Sequence, residues 1–250
     1  MDDAAPAGLA RLWQPFPAER QPRLGLSLDR VVDAAIALAD ETGLENVSMA
    51  RVAERLGFTT MSLYRHVANK DELILFMHDR AWTPTDYTDD ADLPWRDRLT
   101  AWCLQMRGYL QRHPWLERIR VTDRMGTPSQ LTWQDRGLAT LEDTPLSEDE
   151  KSQVLLLLNA HVFYDARVLA DFRSTAQAGR SFEDAAGEYF ATIRQAATPD
   201  RFPALARAIA EGAFRNLADT QLTDADAIFM FGLDTILDGV ELRVWRARRR

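Results

Sequence analysis

The chain has one cysteine in 250 residues, Cys103. That excludes an internal disulfide and any paired-cysteine metal site, and it fits a reducing compartment. Long apolar runs are missing too. The longest block, VLLLLNAHVFY at 154–164, falls short of the roughly 20 residues that cross a bilayer, so no membrane partner is expected. The opening MDDAAPAGLA is acidic and has no apolar core, which argues against a signal peptide. Strand-like alternation of useful length does not occur, and neither does an internal repeat. Nucleophile motifs, GxGxxG or GxxxxGK[ST] loops and an HExxH pair are also missing, which leaves an enzyme without machinery. Positive charge is in deficit: 30 Lys+Arg against 38 Asp+Glu give a net −8. A chain that coats nucleic acid along its length is basic throughout. Any nucleic-acid contact here must come from a local basic patch.

Apolar residues at helical spacing fill most of the chain, and they predict an all-α fold. Residues 1–26 carry Pro6, Pro15, Pro17 and Pro22 with Arg11, Arg20 and Arg23, and read as a flexible arm. An arm lying along DNA is the alternative, and Glu19 and the two leading aspartates weigh against it. Ser27 is placed as the N-cap of a helix over about 28–42 that stops at Gly43. Ser48 caps a second, about 49–56, and Gly57 supplies a tight turn. Thr59 or Thr60 opens a third, ending near His66. Asn69 caps a fourth, about 70–82. Pro84 and the acidic run 85–92 mark a boundary. Further helices are expected over about 94–112, 115–124, 128–142, 148–173, 181–197, 201–217 and 224–247. Ser147 and Glu150 form a capping box ahead of the long one.

Residues 48–67 have the grammar of a helix-turn-helix. The second helix of such a motif enters the major groove while the first crosses the backbone. Val52, Leu56, Phe58 and Leu63 can lock the two together. Thr59, Thr60, Met61, Ser62 and Arg65 are left on the outer face, where methyls meet thymine and Arg forks onto guanine. Tyr64, His66 and Lys70 can hydrogen-bond phosphates, helped by the N-terminus of the fourth helix, and Arg51 is a further DNA-binding candidate. Between 48 and 70, three arginines and one lysine face one glutamate, which is the local positive patch that the global charge demands. Arg55 reads as a solvated helix face.

The stretch 28–74, with AAIALADETG, ENVSM, AERLG and SLYRHVANKDEL in order, closely resembles the DNA-binding domain of the tetracycline-repressor family. The resemblance implies a three-helix DNA-binding head (27–82) joined to a helical ligand-binding and dimerisation domain (83–250). It implies a cytoplasmic homodimer that binds a palindromic operator as a repressor and is released by a small hydrophobic effector; an activator or effector-independent binder of the same fold is the alternative. It places Thr59, Thr60, Met61 and Arg65 at base-reading positions and Ser48, Tyr64, His66 and Lys70 at backbone contacts. Relatives often have arginine at the position held here by Ala50, so base reading rests mainly on the second helix of the motif.

The segment 95–116 resembles the ligand domains of the tetracycline-repressor subgroup. Trp102, Met106, Tyr109, Trp133, His161 and Tyr164 are candidates to line a pocket, each with plain core packing as the alternative. No metal or other cofactor is expected: a magnesium–tetracycline chelate needs histidine in this region, and 79–112 has none. The resemblance puts the dimer interface on helices 148–173 and 224–247. In the latter, Phe229, Leu233, Ile236, Val240 and Val244 form a stripe, with Gly232 and Gly239 allowing close approach; packing within the chain is the alternative for this stripe. The five arginines of 243–250 read as a solubilising helix end.

Overall fold

The computed structural model describes residues 7–14, 25–124, 126–177, 182–212 and 222–249. Among them, all regular structure is helical: α1 Ala7–Leu12, α2 Leu28–Thr42, α3 Met49–Leu56, α4 Thr60–Leu63, α5 Lys70–Trp82, α6 Trp95–Arg112, α7 Val121–Arg124, α8 Pro128–Thr140, α9 Glu148–Gln177, α10 Phe182–Ala196, α11 Pro203–Ala210 and α12 Leu222–Ala247. Short 3-10 turns lie at Leu44–Asn46 and Pro114–Arg118. Two compact units result, Met1–Leu156 and Leu157–Arg250.

The caps read from the sequence are in place. The hydroxyls of Ser27, Ser48 and Thr59 accept the N–H groups of Arg30, Arg51 and Ser62, and Asn69 accepts that of Glu72. Each satisfies a first-turn donor that has no intrahelical partner. Gly57 ends α3 at φ 73° and ψ 29°, the left-handed region that an L side chain resists. Ser147 and Glu150 make the reciprocal capping box, Glu150 N–H to Ser147 Oγ at 3.3 Å and Ser147 N–H to the Glu150 carboxylate at 3.1 Å.

In the first unit α2 packs on α3 and α5, and α5 continues against α8, which lies on α6. The core of the head is Val31, Val32, Ala35, Val52, Leu63, Val67, Leu73 and Met77; Leu99, Cys103, Leu110, Leu141 and Leu155 continue it. Burial pushes the Cys103 thiol well above its ordinary range, so it behaves as a small apolar side chain. In the second unit α9 meets α12: His161 stacks on Phe229 at 4.8 Å, with Nε2 2.9 Å from the Phe229 carbonyl. Gly232 makes room for that ring, since a Cβ there would fall 2.4 Å from His161 Cε1.

Four expectations change. Within the segment expected to be an arm, Ala7–Leu12 is helical and packs on α5; residues 1–6 and 15–24 lie outside the described residues. The helix expected over 115–124 is a 3-10 turn and the short α7, separated where Ile119 becomes extended (ψ 124°) and buries its side chain. The helix expected to run to 217 stops before Gly212, whose φ is 93°; 213–217 lie outside the described residues. Phe58, expected to lock the motif, is 36% exposed, with Arg30 5.9 Å over its ring; Val52 and Leu63, fully buried, do the locking.

Candidate nucleic-acid interface and aromatic cluster

The reading helix α4 is short, and its capping decides which groups remain available. Thr59 Oγ accepts the Ser62 N–H and lies 3.1 Å from Ser62 Oγ, so both hydroxyls already serve the turn. Ser48 Oγ accepts the Arg51 N–H at 3.3 Å, which leaves its O–H free to donate to a phosphate. Arg51 Nη1 donates to the Asn46 carbonyl at 2.9 Å. This fixes its guanidinium beside the loop ahead of α3. Arg55 is chelated by Glu41 of α2, which raises its pKa and lowers that of Glu41 through the paired hydrogen bonds. It is therefore a structural tie on the head.

What stands out from this turn is Met61, 71% exposed, then Tyr64 and Arg65, both exposed, with Thr60 half-buried beside them. Arg65 and Lys70 make no ion pair among the described residues. Lys70 is the first residue of α5, at the positive end of its dipole. Exposed cations, an exposed apolar side chain and a helix N-terminus share one stretch of ten residues. His66 is half-buried, and its carbonyl accepts from Arg11 Nη2 at 3.0 Å.

Four of the six pocket candidates come together around Trp133, in the first unit. Its ring lies 6.3 Å from Trp102 and 5.5 Å from Tyr109, with Met106 buried on the same α6. Sequence reasoning missed two further members, Trp82 at 5.5 Å and Tyr87 at 5.7 Å. The indole N–H groups are satisfied by backbone: Trp133 Nε1 donates to the Trp82 carbonyl at 2.7 Å and Trp102 Nε1 to the Trp133 carbonyl at 3.0 Å. The second contact depends on Gly137, where a Cβ would fall 2.9 Å from the Trp102 ring. These indoles offer a ligand only ring faces. Tyr164 does not join them: it is 71% exposed on α9, because its position on the helix faces away from the buried Leu158, Val162 and Ala166. His161 is committed to Phe229 and Gly232 as a helix–helix contact.

The acidic run, expected as a boundary, is fastened down over this cluster. Asp86 accepts from Tyr109 and from Arg112, Asp89 pairs with Arg98 at 2.7 Å, Thr88 and Gln105 bond each other's amides, and Arg136 lies 4.4 Å over Tyr87. Burial, with Asp89 adding to it, pushes the Tyr87 hydroxyl up to about 12. The Tyr109 hydroxyl, then Arg112, holds Asp86 below the ordinary 3.8; Arg98 does the same for Asp89. Both carboxyls have folded pKa values below unfolded ones, so their contribution is complete above 3.8 and disappears as pH falls through the lower folded values. Tryptophan fluorescence followed from about pH 5 to about pH 2 should show the strap loosening, and Asp86→Asn should remove part of that acid dependence. An identical acid profile in the variant would show that Asp86 does not hold the strap.

Comparison with known proteins agrees with this arrangement. Residues 31–76 match the model described as bacterial regulatory proteins, tetR family, and residues 88–244 match the tetracyclin repressor-like C-terminal domain. The transcriptional repressor DrrR1 of Streptomyces coeruleorubidus is 34% identical over 236 residues, covering 92% of this chain and 82% of DrrR1. The Streptomyces coelicolor TetR-family protein ActR in complex with actinorhodin has a similar fold (TM-score 0.71, 24% identity, 87% of this chain and 96% of ActR). ActR in complex with (S)-DNPA aligns at 27% identity and a TM-score of 0.64, over 86% of this chain and 97% of that one. A helix-turn-helix head followed by a matched C-terminal domain over nearly the whole chain leaves no room for a catalytic reading, and the chain belongs to the tetracycline-repressor family of DNA-binding transcriptional regulators.

Proposed function

We propose that the chain acts in the cytoplasm as a homodimeric repressor that binds a palindromic operator through α4 and its flanks and leaves it when a small hydrophobic effector binds the C-terminal domain. The observation that carries this is the exposed Arg65, with no ion pair among the described residues, beside exposed Met61 and Tyr64 at the end of the capped α4, in an otherwise acidic protein. Ser48, Arg51, His66 and Lys70 surround it as phosphate contacts, and Thr59, Thr60 and Ser62 complete the reading surface.

The dimer reading is supported by apolar side chains that one chain leaves in water. Of the two readings of the α12 stripe, packing within the chain is the one its burial matches: Phe229, Leu233, Val240 and Val244 are buried. At about 100° per residue, Ile228, Phe231, Leu242 and Trp245 fall on the opposite side, and all four are exposed. Leu156, Leu157 and Tyr164 do the same on α9. Exposed apolar stripes of this size mark association sites. At Gly239 no atom lies within 4 Å of an added Cβ, so a partner helix can approach there. Two heads about 34 Å apart would read successive major grooves. Among the described residues no helix is long and apolar enough to cross a membrane.

Effector release is supported by the (S)-DNPA complex of ActR. The test is a gel shift on the promoter DNA flanking the chain's own gene, repeated with actinorhodin and with (S)-DNPA as probes. A retarded band that one probe releases is expected. No retarded band on any fragment would defeat the operator reading. A band that no compound releases would favour the effector-independent binder.

A further inference from the structure

The helix α1 is fastened to the DNA-binding head through α5. Arg11 reaches from α1 to α5, where Nη1 lies 2.8 Å from Glu72 Oε1. The Glu72 side chain is only 7% exposed, so its charge is largely out of water. A carboxylate so placed requires a partner. Its other oxygen accepts the Ala68 N–H, and its own N–H donates to Asn69 Oδ1. One carboxylate thus shapes the turn between the reading helix and α5. Arg11 holds the same turn a second time, Nη2 donating to the His66 carbonyl at 3.0 Å, and its guanidinium lies 5.2 Å over Phe76.

The rest of α1 fixes that arginine. Gly8 lies so close to α5 that a Cβ would meet Glu72 Cγ at 3.1 Å, and Leu12 is buried. Trp13 Nε1 donates to the Gly126 carbonyl at 3.0 Å, just ahead of α8. The brace therefore runs from the turn carrying His66 and Lys70, across α5, to the start of α8.

We propose that Arg11 is a positioning residue for operator binding: by neutralising Glu72 and holding the His66 carbonyl, it sets the turn that presents His66 and Lys70 to the DNA backbone, without touching DNA. The proposal rests on the operator reading above. Without Arg11, an uncompensated carboxylate lies behind the phosphate-facing end of α5, and the turn loses the hydrogen bond to the His66 carbonyl. Both effects weaken DNA binding.

Operator affinity and its salt dependence, measured for four proteins, test this. Arg11→Ala should weaken binding about tenfold while leaving the slope of log K against log salt at the wild-type value. Glu72→Gln in the Arg11→Ala background should recover binding to within about threefold of wild type, because the glutamine keeps an acceptor for Ala68 and carries no charge. Glu72→Gln alone should change little. A slope reduced by about one charge would mean that Arg11 contacts phosphate directly and would overturn the proposal. So would unchanged affinity in Arg11→Ala, or a double variant as weak as the single one. Should Arg11→Ala melt below the assay temperature, Arg11→Gln, which keeps the stem and a donor, carries the same comparison. Failure of the wild type to bind any operator fragment would instead defeat the operator reading, and is distinguishable from each of these.

Discussion

Replacing Trp133 with alanine should destabilise the first unit by about 3–5 kcal/mol, the range for removing a large buried aromatic, read as a lower urea midpoint. The side chain is 2% exposed and meets Trp82, Tyr87, Trp102 and Tyr109. Aromatic pairs at these centroid separations add to their area burial. The indole also performs a backbone duty. Trp82 is the last residue of α5, where carbonyls have no partner further along the helix. Trp133 Nε1 supplies one at 2.7 Å. Trp133→Phe should keep most of the packing and lose this hydrogen bond, for about 1–2 kcal/mol. An alanine variant with a wild-type midpoint would mean that the cluster is loosely filled. That result would favour a ligand space at Trp133 over a packed core.

Much of the head was legible because local chemistry dictates it. Ser27, Ser48, Thr59 and Asn69 each stand where a first-turn N–H needs an acceptor, and Gly57 stands where the chain needs positive φ. The buried face of α6, Leu99, Trp102, Cys103, Met106 and Leu110, follows the helical spacing of its own sequence. Side chains whose roles depend on distant partners were not legible. Arg55 looks like any solvated arginine until Glu41 is beside it. Arg11 sits in a proline-rich stretch whose composition suggests an arm, and Glu72, which captures it, is 61 residues away. The acidic run 85–92 reads as a boundary by charge, yet Tyr109, Arg98, Arg112 and Arg136 fasten it in place. Periodicity likewise showed that α12 has an apolar stripe but not which of its two stripes faces inward. Tyr164 and His161 were grouped with the aromatic cluster by residue type alone, and residue type does not specify direction on a helix. The signal that could have found Gly137 was a glycine amid good helix formers, opposite a tryptophan-rich helix.

Arg65→Ala combined with Tyr64→Phe should abolish the specific operator shift while the fold persists. Both side chains are exposed, so changes there should move the melting midpoint little. Arg65 has the reach and the unpaired charge to fork onto guanine, a contact worth about 1–3 kcal/mol, or about 5- to 150-fold in affinity. In the proposed binding mode the Tyr64 hydroxyl would add a phosphate contact that phenylalanine cannot make. Because the two act on different parts of the DNA, they separate by single variants. Arg65→Ala should relax preference for one base pair in a set of mutated operators. Tyr64→Phe should weaken all sequences alike. The capping of α4 sharpens this expectation. With Thr59 and Ser62 bonded to each other and to the turn, their hydroxyls have less freedom to meet a base, and discrimination falls to Met61 and Arg65. A double variant that keeps both the shift and its sequence preference would remove α4 as the reading element. It would transfer the search to α3, where the exposed Arg51, unlike Arg55, is not tied to Glu41.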